Sequence, residues 1–595
     1  MNAVDTGADD VRWDLEDLHK DPDELRAALD TAAEEAAAFA ERYRGEIGDL
    51  DPESLAQALD RLAALHDRLG RAHAYAHLHW STDTNDGERG ALLQSVRERY
   101  NRIQQQLLFV EVEWAEVPDE RAEMLLDHEA LADYRHYLET EHLQKEHVLS
   151  EPEEKILSEK SITANQAWTR YFDETLGATR YELDGETLTQ EEILSKLYEP
   201  DREERRAAAL AFTDGLEERR RTLTFVFNTL LADKASTDRL RDYDHWLESR
   251  NLSNEVDDET VQALIDAVTG RYDLVARFYD LKRRLLGLDE LYDYDRYAPI
   301  DEADTTYAWD ESRSMVLDAY GDFHPKMASA ARRFFEENWI DAAMAPGKRS
   351  GAFSHGAVPS AHPYVLLNYT GKARDVQTLA HELGHGVHQY LAREQTIFHH
   401  GTPLTTAEMA SVFGEMLVFR RLMRREDDPQ NRLAMLVAKI DDTLATVFRQ
   451  VAMNRFEERI HTARREEGEL QPEAFDEHWM ATQRAMFEGS VTLGDHYRLW
   501  WSYIPHFLHT PGYVYAYAFG ELLVLALYAR YQEAGDAFAD RYLDLLRAGG
   551  SEWPHDLMAE VGVDLTDPDF WDRGLAQIED LIEDAEALAD VESPA

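Results

Sequence analysis

A chain of 595 residues, 44% of them hydrophobic, has enough apolar material to bury a large globular core. Its 118 acidic against 62 basic residues leave a formal net charge of −56, which excludes non-specific nucleic-acid binding and docking on an anionic membrane. With no cysteine, no disulfide staples the fold, and any metal site must be built from histidine, aspartate or glutamate.

The acidic excess is spread along the chain, and arginine greatly outnumbers lysine. We read a hydrated, salt-adapted surface rather than a block that recruits a basic partner. The opening "MNAVDTGADDVRWDLEDLHKD" shows neither the basic nor the apolar segment of a signal peptide. The longest apolar run, "FGELLVLALYARY", is interrupted by Glu521 and is too short for a bilayer. The expectation is a cytoplasmic protein, monomeric or a small homo-oligomer, with no membrane or nucleic-acid partner.

From Asp21 to Leu149 apolar residues recur at helical spacing, as in "LAQALDRLAALHDRLGRAHAYAHLHW". In "ATRYELDGETLTQEEI" an Asp184-Gly185 pair between β-prone runs predicts a small hairpin. Helical patterns resume at Asp201 and continue to about Gly287, and "YDYDRYAPIDEADTTYAW" reads as a loop. A further helix is expected from Ser312 to Asn338. The Gly- and Pro-rich segment from Ala345 to Gly371 offers one strand, "PYVLLNY", and leads into "TLAHELGHGVHQYL", Thr378 to Leu391. The rest is helical apart from a break near "IPHFLHTPGY".

The histidine stretch carries the chemistry. Val376, Leu379, Leu383, Val387 and Leu391 form one apolar stripe, and His381, His385 and His388 share a face away from Leu383. Two imidazoles at i and i+4 can hold one metal ion, and Glu382 can reach a water on it. An H-E-x-x-H string also arises by chance. Here it lies mid-helix, opposite an apolar stripe and beside a strand. Gly384 and Gly386 each cost the helix about 1 kcal/mol relative to alanine, which close approach of another backbone or a substrate would justify.

A catalytic zinc needs a third protein ligand. Glu394 points to the far side of the helix. Glu408 and Glu415 lie seven apart, on one face of a later helix, "TTAEMASVFGEML". Thr405-x-x-Glu408 can equally be read as a capping box that starts that helix without any metal, and spacing leaves both readings open.

Together, "HPYVLLNYTGKARDVQTLAHELGHGVHQYL", "TTAEMASVFGEML" and "IPHFLHTPGYVYAYAFGELL" resemble the zinc oligopeptidases of peptidase family M3, in particular their oligoendopeptidase F branch. Weaker similarity runs through "YDRYAPI" and "EPDREERRAA". The resemblance implies a mostly α, two-lobed fold around a deep substrate channel, with a small β-sheet or hairpin near the active site. It divides the chain into an N-terminal helical region (1–115), an oligopeptidase F-like domain with the hairpin (116–200), a catalytic domain (201–585) and a disordered tail (586–595).

It also implies one Zn2+ per chain on His381, His385 and Glu408, with Glu382 as general base. Glu415 and His388 would stand behind the ligands, the glutamate orienting a ligand histidine. Tyr364, Val365, Leu366 and Leu367 would take a peptide edge-on through its backbone. His506, Tyr513 and Tyr517 would close on the substrate carbonyl, with Tyr515 left as a rival. The implied activity is endopeptidase cleavage of short peptides; the alternatives are a helical zinc carboxypeptidase and a non-enzymatic zinc-binding protein.

A net charge of −56 generates one prediction. Melting temperature and activity should rise along a potassium chloride series into the molar range, as screening relieves self-repulsion. A flat or falling melting curve would remove the salt-adaptation reading.

Overall fold

In the computed structural model, which describes residues 6–300 and 306–592, the first three long helices begin where the sequence supplies an acidic cap. Asp21, Asp51 and Asp86 accept hydrogen bonds from first-turn N–H groups of the helices Pro22–Tyr43, Pro52–Ser81 and Gly87–Leu107. The three helices pack on one another through stripes such as Leu25, Leu29, Ala32, Ala36 and Phe39. Their core extends to Val358, Ala361 and Tyr364, so it also buries the approach to the predicted strand.

The chain divides into two compact units, each assembled from separated stretches. One comprises the described residues of Met1–Lys155, Asp304–Arg424 and Arg530–Val563; the other comprises those of Ile156–Ala303, Arg425–Ala529 and Asp564–Ala595. These units do not follow the contiguous divisions at 115, 200 and 585. The N-terminal helices share a core with residues near the histidine helix, far along the chain.

Five short strands are present among the described residues. In the second unit, β1 (Tyr181–Leu183) and β2 (Glu186–Leu188) pair antiparallel across Asp184 and Gly185, whose φ values of 53° and 85° fit the expected two-residue turn. In the first unit, β3 (Ile340–Asp341), β4 (Phe353–His355) and β5 (Tyr364–Leu366) form a sheet in the order β3-β5-β4. β3 runs parallel to β5, and β4 antiparallel. Of these three strands, only β5 was legible in the sequence.

Two helical expectations change. The helix read from Ser312 to Asn338 is two helices, Trp309–Phe323 and Pro325–Glu336. Pro325 forces His324 into extended backbone, φ −158° and ψ 131°, and then starts the second helix. The tail read from 586 is helical through Glu592, because Ile578, Leu581, Ile582, Ala585 and Ala589 continue a buried stripe and Glu586 pairs with Arg277. Residues 593–595, and 301–305 of the predicted loop, lie outside the described residues.

The histidine stretch forms the helix Ala373–Leu391, packed on Pro325–Glu336, on β4 and β5, and on the helix Asp536–Ala548. Val376, Leu379, Leu383 and Val387 are fully buried. Its two interior glycines sit at crossings. A Cβ on Gly384 would lie 2.2 Å from the Ala410 carbonyl oxygen and 2.6 Å from Ser411 Cα, and one on Gly386 would lie 2.7 Å from the Phe334 ring.

Gly384→Ala should therefore destabilise the fold by about 1–3 kcal/mol or more, against the roughly 1 kcal/mol that alanine contributes in an open helix. Gly386→Ala meets a ring that can shift, and should cost less. Gly177, in the helix Asn165–Ala178 with open space at its Cβ position, should respond with the opposite sign. Thermal melts of the three variants check the ordering.

Candidate metal centre

The crossing at Gly384 brings the segment 404–425 against the histidine helix. That segment is a one-turn helix, Leu404–Ala407, followed after Glu408 by a longer one, Met409–Arg425. Pro403 is the N-cap of the first, so Thr405 lies inside the turn rather than at the cap. The capping-box alternative is not what forms: Glu408 turns its carboxylate to the histidines, held by Ser411 Oγ at 2.6 Å.

Glu408 Oε2 lies 3.4 Å from Nε2 of both His381 and His385. Among the described residues, these three form the one group whose possible ligand atoms all lie within 4.8 Å of one another. Ligands about 2.0–2.1 Å from a tetrahedral ion are separated by about 3.4 Å, so the two separations from the Glu408 oxygen match a metal of zinc's size. Glu415 Oε2 approaches the other ring nitrogen, His381 Nδ1, at 3.3 Å.

Electrostatics point the same way. Burial disfavours charge on His381, but its hydrogen bond to Glu415 and the charges of Glu408, Glu415 and Glu382 outweigh that and raise its pKa to about 9. Burial likewise opposes charge on Glu408, and the His385 and His381 imidazoles together with Ser411 overcome it, holding the carboxyl near 2. Three carboxylates surround two imidazoles, and a cation balances such a cluster.

Glu382, next to His381, is 8% exposed. Burial raises its carboxyl, partly offset by His381, His385 and the Ser354 backbone N–H. Ser354 belongs to β4 and pairs with Val365, whose own N–H donates to Trp339 on the opposite side. The backbone of Ser354 therefore faces outward from the sheet. β3's outer side is covered by Val11, which accepts from Ala342 and Ala343 just beyond the strand.

The predicted peptide-binding strand is thus corrected. β5 is the central strand, both its edges are taken by β3 and β4, and Tyr364, Val365, Leu366 and Leu367 are buried. Among the described residues, the edge without a partner strand belongs to β4, where the Ser354 N–H already donates to Glu382.

His388 does not join the cluster of three. It is buried, its Nε2 has no hydrogen-bond partner among the described residues, and burial pushes its pKa down to about 3. With His355, His385, Gln389, His400 and Thr402 it lines a cavity of about 380 Å³ that includes one member of the cluster, His385. Ser354, His355 and His400 were missed by sequence reasoning. Their signal is faint: His-Gly pairs at His355-Gly356 and His400-Gly401.

In the second unit, His506 opens a one-turn helix, His506–His509, rather than lying in a plain loop. Tyr517 Oη lies 3.3 Å from His506 Nε2. The His506 ring stacks on Tyr513 at 6.1 Å, and Tyr513 meets Tyr517 edge-on at 4.8 Å. Burial, with Arg449 and His509, lowers the His506 pKa and keeps the imidazole neutral. Tyr515 differs: fully buried, its hydroxyl donates to Asn251 and accepts from Asn254, each at 2.8 Å.

Residues 195–577 match peptidase family M3, and residues 113–181 match oligopeptidase F. Oligopeptidase PepF of Bacillus subtilis is 28% identical over 585 residues, covering 97% of this chain and 87% of that protein. Group B oligopeptidase PepB of Streptococcus agalactiae is 27% identical, covering 97% of each. Among solved structures, a putative peptidase from Chlamydophila abortus superposes with a TM-score of 0.86 at 25% identity, over 97% of this chain and 98% of that one. The oligoendopeptidase-F of Enterococcus faecium shares the fold, with a TM-score of 0.73 at 22% identity over 96% and 99%.

Glu408→Gln should strip most of the metal, as read by elemental analysis after dialysis, whereas Glu415→Gln should weaken affinity by about 10- to 100-fold. Loss of metal with Glu415→Gln but not with Glu408→Gln would exchange their roles.

Proposed function

Because the chain belongs to peptidase family M3, and is a metalloendopeptidase, we propose that it hydrolyses internal bonds of short peptides with one zinc ion held by His381, His385 and Glu408. The observation that carries this reading is the single Glu408 oxygen set equally, at 3.4 Å, from both imidazole nitrogens. The names of the relatives, oligopeptidase and oligoendopeptidase F, favour short peptides over folded proteins, and internal bonds over the carboxypeptidase alternative.

Zinc, when bound, polarises the peptide carbonyl and brings the pKa of water to about 7. Glu382 takes the proton from the attacking water and passes it to the departing amine. Its burial makes the carboxylate a stronger base, and the Ser354 N–H aims it. Glu415 fixes the His381 ring through Nδ1, leaving Nε2 for the ion. The peptide backbone adds along the open edge of β4.

Following the family pattern, we assign His506, Tyr513 and Tyr517 as neutral donors to the oxygen that becomes negative during attack. The tied hydroxyl of Tyr515 argues against it as a rival. No helix among the described residues is long and apolar enough to cross a membrane. A cytoplasmic site of action and a salt-adapted host are proposed from composition alone.

The deciding assay uses an internally quenched peptide blocked at both ends, with and without chelator. Glu382→Gln should keep its metal and lose about 10²–10⁴ in turnover. Tyr517→Phe or Tyr513→Phe should cost about 10²–10³ in kcat with little change in KM. Near-normal turnover in Glu382→Gln sinks the mechanism, and near-normal turnover in both phenylalanine variants returns the tyrosines to a packing role.

A further inference from the structure

Gly512 precedes Tyr513 and has little freedom. Its φ is +76°, and a Cβ there would lie 2.5 Å from Leu247 Cδ1. Its N–H donates to Glu457 Oε1 at 2.9 Å. Three residues on, the Tyr515 hydroxyl is held by Asn251 and Asn254, and Asn251 is in turn held by Asp258 at 2.6 Å. The tyrosine segment is thus pinned at 512 and 515, while the rings of 513 and 517 remain half-buried and in contact with each other and with His506.

Glu457 is an unusual anchor. It lies on the helix Phe448–Glu467 and is fully buried, yet only one of its oxygens is used: Oε2 has no hydrogen-bond partner among the described residues. Burial pushes its carboxyl up to about 8, against the opposing pull of Arg250 and Lys234. Along the same stripe, Asn454 Nδ2 and both ring nitrogens of His461 also lack partners, and the His461 ring stacks on Trp246 at 4.8 Å. A carboxyl is costly to bury, and apolar residues could fill this space more cheaply. What the glutamate adds is an acceptor for a single backbone N–H at the entrance to the tyrosine segment.

We propose that Glu457 is a positioning residue of the hydrolytic reaction, fixing Gly512 through its N–H and so setting where the Tyr513 and Tyr517 hydroxyls stand. The inference rests on the donor role assigned above to those tyrosines. Glu457 itself touches no substrate. Its action is to keep two donors in register, a setting in which about 1 Å of drift can cost on the order of a hundredfold in rate.

The test uses metal-loaded full-length protein, the blocked quenched peptide, and variants Glu457→Gln, Glu457→Asp and Glu457→Leu, alone and with Tyr517→Phe. Glu457→Leu, which removes the acceptor, should lower kcat by about 10- to 100-fold with KM and metal content unchanged. Glu457→Gln keeps an oxygen for the Gly512 N–H and should recover most of that loss, whereas Glu457→Asp, one methylene short of reach, should behave like leucine while folding normally. Combined with Tyr517→Phe, the leucine or aspartate change should cost less than it does alone, because one of the two hydroxyls it would misplace is already gone.

Full kcat in Glu457→Leu or Glu457→Asp, equal losses in Gln and Leu that track melting temperature, or strict additivity with Tyr517→Phe would each overturn the proposal while leaving the tyrosine assignment intact. Full activity in both tyrosine variants would overturn that assignment, and this inference with it.

Discussion

The metal cluster depends on one close crossing of two helices. At Gly384 the histidine helix has no side chain, and the Ala410 carbonyl and the backbone of Ser411 occupy the space a methyl group would need. That approach sets Glu408, two residues before Ala410, against the two imidazoles, and Glu415, two turns later, behind His381. Neither carboxylate is recruited by a long flexible loop. Glu408 sits at the junction of two helices and Glu415 within the second, at a depth fixed by glycine. The Tyr320 hydroxyl bound to the Ala380 carbonyl, and the Tyr542 hydroxyl bound to that of Met409, hold the two helices from further sides.

The same crossing explains why so much negative charge can be buried there. Glu382, Glu408 and Glu415 converge on two histidines in a chain that already carries a net charge of −56. Such a cluster is unstable in its fully ionised form unless positive charge enters, and the imidazoles answer by holding a proton up to about pH 9 on His381 while Glu408 stays ionised to about 2. A divalent ion would do the same work better, since the carboxylate and both imidazoles could hold it together, with the imidazoles neutral. The acidic surroundings therefore favour metal capture rather than opposing it.

What the sequence made legible follows from periodicity. The histidine helix, its buried stripe, the shared face of His381 and His385, and the need for close approach at Gly384 all derive from 3.6-residue spacing and the absence of a side chain. The hairpin at Asp184-Gly185 was legible because two successive positive φ angles need that pair. β3 and β4 were not: Ile340–Asp341 and Phe353–His355 have neither an apolar run like that around β5 nor a turn pair like Asp184-Gly185, and they exist because β5 offers them edges. In the sequence β5 reads as an edge strand, and the structure makes it central, since sheet order is a long-range property. The choice between capping box and ligand for Glu408 was equally non-local, decided by what faces the carboxylate across the crossing. His355 and His400 lie on segments with no period at all.

The tyrosine segment shows how identical side chains acquire different work through their neighbours. Tyr513, Tyr515 and Tyr517 alternate along a few residues, and sequence spacing ranks none above the others. Packing separates them: Tyr515 sends its hydroxyl inward to two asparagines and becomes an anchor, while its neighbours keep their rings with His506. An anchor on each side of Tyr513 limits how far the backbone can drift, and both anchors are polar. Polar anchors suit this role because a hydrogen bond specifies direction as well as depth, whereas apolar packing specifies depth alone. Donors that must meet a developing negative charge need their direction fixed before the charge appears, since any reorientation during attack would add to the barrier.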